Sequence, residues 1–159
     1  GLDEADPALA IDVLKGSART GRRVAIIGGE LVGCETAEYL AERGKTVTVL
    51  RRGREMATSV SPSLKAFFLE RLNRKGIRLM PGVTYREARP GCLVVDTQDG
   101  DTVTVEADTI VLAAGSVADT ALADALRQTV PEVYVVGDCS DPRGIIDAVA
   151  EGTAAGQSV

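Results

Sequence analysis

The run Val24-Ala25-Ile26-Ile27-Gly28-Gly29-Glu30-Leu31-Val32-Gly33 constrains this chain more than any other stretch of its 159 residues. Four consecutive apolar residues without alternation read as a parallel strand buried on both faces. Glycines follow at once. Leu31 to Arg43 then brings helix formers, with apolar or small residues at Val32, Ala37, Leu40 and Ala41, and Gly44 as a stop. A buried strand, a tight turn and a helix open a βαβ unit, whose crossover is right-handed and whose sheet is covered on both faces.

The alternation continues. Thr46 to Leu50 is a second β-branched run, and Ser61-Pro62 caps and opens a helix with Leu64, Phe67, Phe68 and Leu72 on one face, ended by Gly76. Ile77 to Met80 is a third strand. After Pro81-Gly82 the period falls to two: Leu93 to Val95, the Asp99-Gly100 turn and Thr102 to Val105 form a small antiparallel meander. Thr109 to Ala113 returns to a buried strand closed by Gly115, Ala121 to Leu126 is a short helix, Val133 to Val136 a last buried strand, and a last helix starts at Ile145. A lead-in precedes all of this, helical near Ala8 to Leu14 and broken by Gly16 and Gly21. The expected fold class is α/β, a Rossmann-like doubly wound parallel sheet of order 3-2-1-4-5 with an antiparallel β-meander insertion. Val133 to Val136 is expected to fill the fifth place, beside strand 109 to 113.

Composition removes several kinds of chemistry. With no His and no Trp, there is no Ser-His-Asp or Cys-His nucleophile, no histidine zinc site and no histidine acid or base. Cys34, Cys92 and Cys139 are odd in number and lack CxxC spacing, so they read as buried thiols rather than a disulfide framework or a dithiol centre. Catalysis must then rest on a cofactor or a partner. No apolar run approaches 18 residues and no basic-then-apolar leader is present, so the expectation is a cytoplasmic protein without a membrane span. The net charge of −5 hides an asymmetry: Arg51 to Arg78 carries eight basic against two acidic residues, and Asp96 to Val159 carries two against twelve. Five aromatics in the whole chain are too few for a nucleic-acid surface, so the basic stretch reads as the site of a local anionic ligand.

Three constellations can carry such a ligand. In Gly28-Gly29-Glu30-Leu31-Val32-Gly33 the first and last glycines of a dinucleotide loop are present, but Glu30 stands where the pyrophosphate approaches the backbone. A carboxylate there costs about 1 to 3 kcal/mol of binding. Two readings stand, a pyrophosphate cradle or a turn that keeps only the shape. Next, Arg51-Arg52-Gly53-Arg54 lies where NAD-specific sites carry an acid for the ribose, and arginine accommodates a 2′-phosphate instead, which favours NADP over NAD; a solvated basic loop is the alternative. Last, Val133 to Val136 leads to Gly137-Asp138, a carboxylate at a strand's carboxyl end that either meets a ligand or caps a turn.

Thr129 followed by Val133-Tyr134-Val135-Val136-Gly137-Asp138 resembles the second flavin motif of the flavoprotein reductases that carry two dinucleotide folds. With Val24 to Leu50, Asp108 to Ser116 and Gly144 to Gly152, it is similar to the C-terminal region of the 2,4-dienoyl-CoA reductase and NADH:flavin oxidoreductase family, related to old yellow enzyme. The resemblance covers about residues 10 to 159. It implies a lead-in over 1–19, an NAD(P)H domain over 20–116, and a closing segment of an FAD domain over 117–159. It further implies a piece of a longer enzyme, as Gly1 in place of an initiator Met also hints. The missing partners would be an N-terminal barrel holding FMN and a four-iron cluster, and the other half of the FAD domain; a homo-oligomer stays open. Such an enzyme passes a hydride from NAD(P)H to FAD, and electrons onward to an unsaturated substrate, whereas the piece alone is expected to be inactive.

By position, Gly28, Gly29 and Gly33 match the family's NAD(P)H loop, from which Glu30 departs. Glu35 matches an acidic residue near the nicotinamide, and Arg51 and Arg52 match arginines of NADP-specific members. Ala114 and Gly115 match the loop that closes over the nucleotide. Gly137 and Asp138 match the flavin motif, Asp138 toward the ribityl chain, and the backbone at Ile145 and Ile146 would face the flavin ring at a helix N-terminus. The alternative is a non-catalytic structural or adenine-nucleotide-holding module that has lost NAD(P)H use, which Glu30 keeps open.

Overall fold

A computed structural model describes residues 5–159; the first four positions of the expected lead-in lie outside them. The chain divides into two compact units, one ending at Ala114 and the other running from Gly115 to Val159.

In the first unit the elements are β1 (Ala8–Leu9), α1 (Ala10–Lys15), β2 (Arg23–Ile27), α2 (Leu31–Ala41), β3 (Thr46–Arg51), α3 (Pro62–Arg74), β4 (Arg78–Pro81), β5 (Thr84–Arg89), β6 (Cys92–Asp96), β7 (Thr102–Glu106) and β8 (Thr109–Leu112). Five strands form a parallel sheet in the order β4-β3-β2-β8-β1. β5, β6 and β7 form a separate antiparallel sheet. The α/β class, the parallel sheet and the meander expected from the sequence are all present.

The unbroken apolar run of β2 has a direct packing consequence. Val24 and Ile26 join Val47, Val49 and Val111 under Ala10 and Val13 of α1, Cys34, Ala37 and Leu40 of α2 and Leu72 of α3. Ala25 and Ile27 point the other way, joining Leu50, Met80 and Ile110 beneath Leu93, Val95 and Val105 of the meander. Helices thus cover one face and the antiparallel sheet the other, so both faces of the parallel sheet are dry. A strand whose two faces are both buried has no position for a polar side chain, which is why its sequence does not alternate.

Three local readings are corrected. Val133 to Val136 forms no strand, and the fifth place in the sheet belongs to β1, which pairs with β8 through Ala8–Val111 and Leu9–Leu112. Among the described residues the apolar run has no backbone partner in a ladder, and composition alone does not make a strand. The helix near Ala8 starts two residues later because Ala8 and Leu9 form β1. The thiols also differ: all three are free, but Cys34 alone is buried, Cys92 is half-buried at the start of β6, and Cys139 is exposed.

The second unit holds α4 (Ala121–Leu126), a 3-10 turn (Gly137–Cys139) and α5 (Ile145–Ser158). Gly137 is its only buried residue. Val117, Leu122, Ile145, Ile146 and Val149 all stand largely exposed. No helix among the described residues is long and apolar enough to cross a membrane.

A carboxylate fastens the sheet at the end opposite the glycine turn. Asp108 accepts the backbone N–H groups of Arg22 (3.0 Å) and Arg23 (2.8 Å) and the Nε of Arg23 (3.0 Å), while the Asp108 N–H donates to the Arg23 carbonyl (2.8 Å). The Arg23 side-chain and backbone bonds hold the Asp108 carboxyl down to about 2, against an ordinary 3.8. A depressed carboxylate contributes stability that is fully present above its unfolded value and is lost as pH falls toward its folded one. We therefore expect a loss of stability between about pH 4 and pH 2 in urea titrations, and Asp108→Asn should remove that part of the acid dependence while lowering stability at pH 7.

Candidate functional site

The site grows out of the junction of β2 and α2. Gly28 continues the ladder by donating to the Leu50 carbonyl (2.9 Å), then turns with φ +129°. A Cβ there would collide with the carbonyl of Ala113, just past the end of β8. A Cβ on Gly33, one turn into α2, would collide with the carbonyl oxygen of Gly28. These two glycines let the strand end, the helix start and the exit of β8 approach within van der Waals contact, at the carboxyl edge of the parallel sheet where such folds bind ligands. Ala114 belongs to this junction, since its backbone N also lies against Gly28. Gly115 opens the second unit, with φ +85°.

The loop after β3 folds back onto the turn. Ala57 donates its N–H to the Gly29 carbonyl (2.7 Å) from a left-handed conformation (φ +50°), and the buried Met56 puts its sulfur where a Gly29 side chain would go. Glu30 closes this strap. Its Oε1 accepts the Thr58 hydroxyl and pairs with the Arg51 guanidinium; its Oε2 accepts the Ser59 N–H (3.1 Å) and hydroxyl (3.0 Å). Partial burial works against the Glu30 charge, but the bonds from Thr58 and Ser59 and the Arg51 charge outweigh it, holding the carboxyl below the ordinary range. The acid that the sequence places against a pyrophosphate thus carries its own counter-charge.

The two arginines diverge. Arg51 has a side chain only 22% exposed and also donates to the Thr58 hydroxyl (3.2 Å). Arg52 is exposed and has no carboxylate partner among the described residues. Glu35 is exposed on α2, at the rim of a groove of about 470 Å³ shared with Leu31, Val60, Leu64, Phe67 and Arg71. Burial, chiefly, pushes the Cys34 thiol beneath the turn up to about 11, so it stays a neutral packing group.

In the second unit, Gly137 turns with φ +68° and donates its N–H to Glu151 (2.7 Å). Asp138 is exposed, and its carboxylate meets only the Arg143 N–H, at 3.4 Å. Arg143 pairs with Asp141, Asp147 and Glu151. Ile145 and Ile146 begin α5 with 81% and 80% of their surface exposed, and the Gly144 N–H ahead of them donates to Asp147 (3.1 Å). Thr58, Ser59, Met56 and Glu151 complete these arrangements without a signal in the sequence. Glu151 alone lies inside a recognisable stretch, Gly144 to Gly152. Among the described residues, no His, Cys, Asp and Glu side chains cluster in a way that could hold a metal ion.

A family model described as pyridine nucleotide-disulphide oxidoreductase matches residues 4–156. The chain is 34% identical to an NADH oxidase of Thermoanaerobacter brockii over 90% of its own length and 22% of that protein's. It is 30% identical to a metal reductase of Desulforamulus reducens, covering 88% of this chain and 25% of that one. Among solved structures, 2-naphthoyl-CoA reductase in complex with 2-naphthoyl-CoA superposes with a TM-score of 0.92 at 34% identity, covering 100% of this chain and 24% of that one. The chain therefore spans about a quarter of the length of these relatives. The resemblance read from the sequence is borne out.

The contact of Gly33 with Gly28 generates a prediction. Gly33→Ala should lower unfolding stability in urea by about 2 kcal/mol or more, because the added carbon meets backbone. Gly152→Ala, where nothing lies within 4 Å of the added carbon, should cost nothing.

Proposed function

The chain belongs to the pyridine nucleotide-disulphide oxidoreductase family, and on that premise we propose that its first unit binds NAD(P)H within a flavin-dependent oxidoreductase of the enoate or 2,4-dienoyl-CoA reductase kind. The observation that carries this reading is the glycine turn. At Gly28 and Gly33 a side chain is excluded by backbone, and the turn leads straight into the N-terminus of α2, whose unpaired amides and dipole favour a pyrophosphate.

The residues of the chain fit such a dinucleotide. Gly28, Gly29 and Gly33 would admit the pyrophosphate, with the Glu30 charge offset by Arg51 rather than facing the ligand alone. Arg52 is available to the adenosine ribose or its phosphate, Glu35 to the nicotinamide side, and Ala114 and Gly115 to the covering loop. In the second unit, Asp138 has acceptor capacity to spare for the hydroxyls of a flavin side chain, and the first amides of α5 at Ile145 and Ile146 suit an electron-rich ring. Bound NAD(P)H supplies the hydride, and FAD accepts it. What this chain does is hold, orient and neutralise. FMN and a four-iron cluster would belong to the barrel upstream in the longer enzyme, together with the substrate site, and the chain alone would not turn over.

The second unit supports placing its partners elsewhere in that enzyme: a 45-residue unit with only a glycine buried lacks an apolar core of its own. The competing reading is a module that retains the fold and holds only an adenine nucleotide.

Titration of the chain with NADPH, NADH and ADP, followed by nicotinamide fluorescence and calorimetry, separates the two. We expect dissociation constants for the nicotinamide nucleotides between about 1 μM and 1 mM, the range in which such enzymes work. ADP binding as tight as that of both dinucleotides, or no binding of either, overturns the reading.

A further inference from the structure

The Glu30 carboxylate has two oxygens and about four acceptor positions. Three are taken by hydrogen bonds, from the Thr58 hydroxyl on Oε1 and from the Ser59 N–H and hydroxyl on Oε2, and the Arg51 guanidinium lies against Oε1 as an ion pair. The carboxylate is thus turned onto the strap rather than left free for a ribose hydroxyl. Arg51 is engaged in turn, by this ion pair and by its bond to the Thr58 hydroxyl (3.2 Å). Its side chain lies along the glycine turn, so a Cβ on Gly29 would meet Arg51 Cβ (3.0 Å) and Cδ (3.1 Å), and a Cβ on Gly53 would meet its Nε (2.8 Å). Recruiting this guanidinium to a 2′-phosphate would strip Glu30 of its counter-charge. It would also bring two further negative charges toward an unpaired, partly buried carboxylate, which opposes the attraction that recruitment would gain.

We propose that Glu30 sets the coenzyme preference of this site: by holding Arg51 as an internal counter-ion it withdraws that arginine from the 2′-phosphate, so that the chain accepts NADH and NADPH alike. The inference rests on the nucleotide-binding reading above. Arg52 remains as the exposed cation that meets a 2′-phosphate, at the weak strength of a solvated contact. Arg51 is then a positioning residue that fastens the strap formed by residues 56–59. The paired arginines after β3, which the sequence alone reads as a signature of NADP, have different roles because one of them is taken.

Dissociation constants for NADH and NADPH, measured on the chain and on Glu30→Gln, Arg51→Ala and the double variant, test this. In the unsubstituted protein the two constants should lie within about fivefold of each other. Glu30→Gln keeps the volume and the acceptor for Ser59 but frees the guanidinium, and should tighten NADPH by about tenfold with NADH changed much less. Arg51→Ala on the Glu30→Gln background should erase that gain, although in the unsubstituted protein it shifts the NADPH/NADH ratio by less than about threefold. Glu30→Gly restores a glycine at a position of ordinary extended backbone, and should give the same gain if the glutamine variant folds poorly. A strong NADPH preference that Arg51→Ala abolishes in the unsubstituted protein overturns the inference and leaves nucleotide binding standing. Equal gains for both nucleotides in the Glu30 variants also overturn it. Failure of every variant to bind either nucleotide overturns the nucleotide-binding reading, and this inference with it.

Discussion

The contact between Gly28 and Gly33, with no room for a carbon between them, is the constraint on which the rest of the first unit turns. It lets α2 start after only three intervening residues, packed back on the end of β2, and lets the exit of β8 lie against both. A helix that begins so close directs its unpaired amides across the carboxyl edge of the sheet, where their partial positive charge is usable. The buried strand supplies the rigid side of that geometry. β2 is fixed by neighbours on both edges and by dry packing on both faces, so the turn is held by the sheet rather than by its own bonds.

Charge is then arranged on this frame at short range. Glu30, introduced where a glycine would serve a pyrophosphate best, is absorbed by Arg51, Thr58 and Ser59 instead of projecting toward a ligand. The result ties the strap after β3 to the glycine turn through Glu30 and through the Ala57 N–H on the Gly29 carbonyl. The electrostatic cost expected of Glu30 from sequence is thereby reduced by a contact formed 21 positions away.

What the sequence discloses here follows from the range of the interactions involved. The runs of β2, β3 and β8, α3 with Pro62 in its first turn, and α5 from Ile145 are all legible because each depends on local periodicity or a local breaker; the cap expected of Ser61 is not made by its side chain. Val133 to Val136 misleads because its composition satisfies the local rule while the pairing partner it needs is absent, and Ala8–Leu9 is missed because two residues carry no period at all. β5, with Arg86, Glu87 and Arg89 among its six residues, has the same weakness and carries a register shift between Tyr85 and Glu87. In the candidate site the glycines are legible, since only glycine tolerates those contacts. The split between Arg51 and Arg52 is not, because nothing near Arg51 in the chain announces Glu30 or Thr58 as its partners.

The two-residue strand β1 bears on how much open sheet edge this unit presents. It meets the outer edge of β8 at Val111 and Leu112 alone and turns at once into α1. An edge so short offers an incoming chain almost no ladder to extend. A parallel sheet with every face dry and long flat edges would invite strand addition by neighbouring molecules. Here that border is formed by a scrap of extended backbone, too small to be seen as a strand in the sequence.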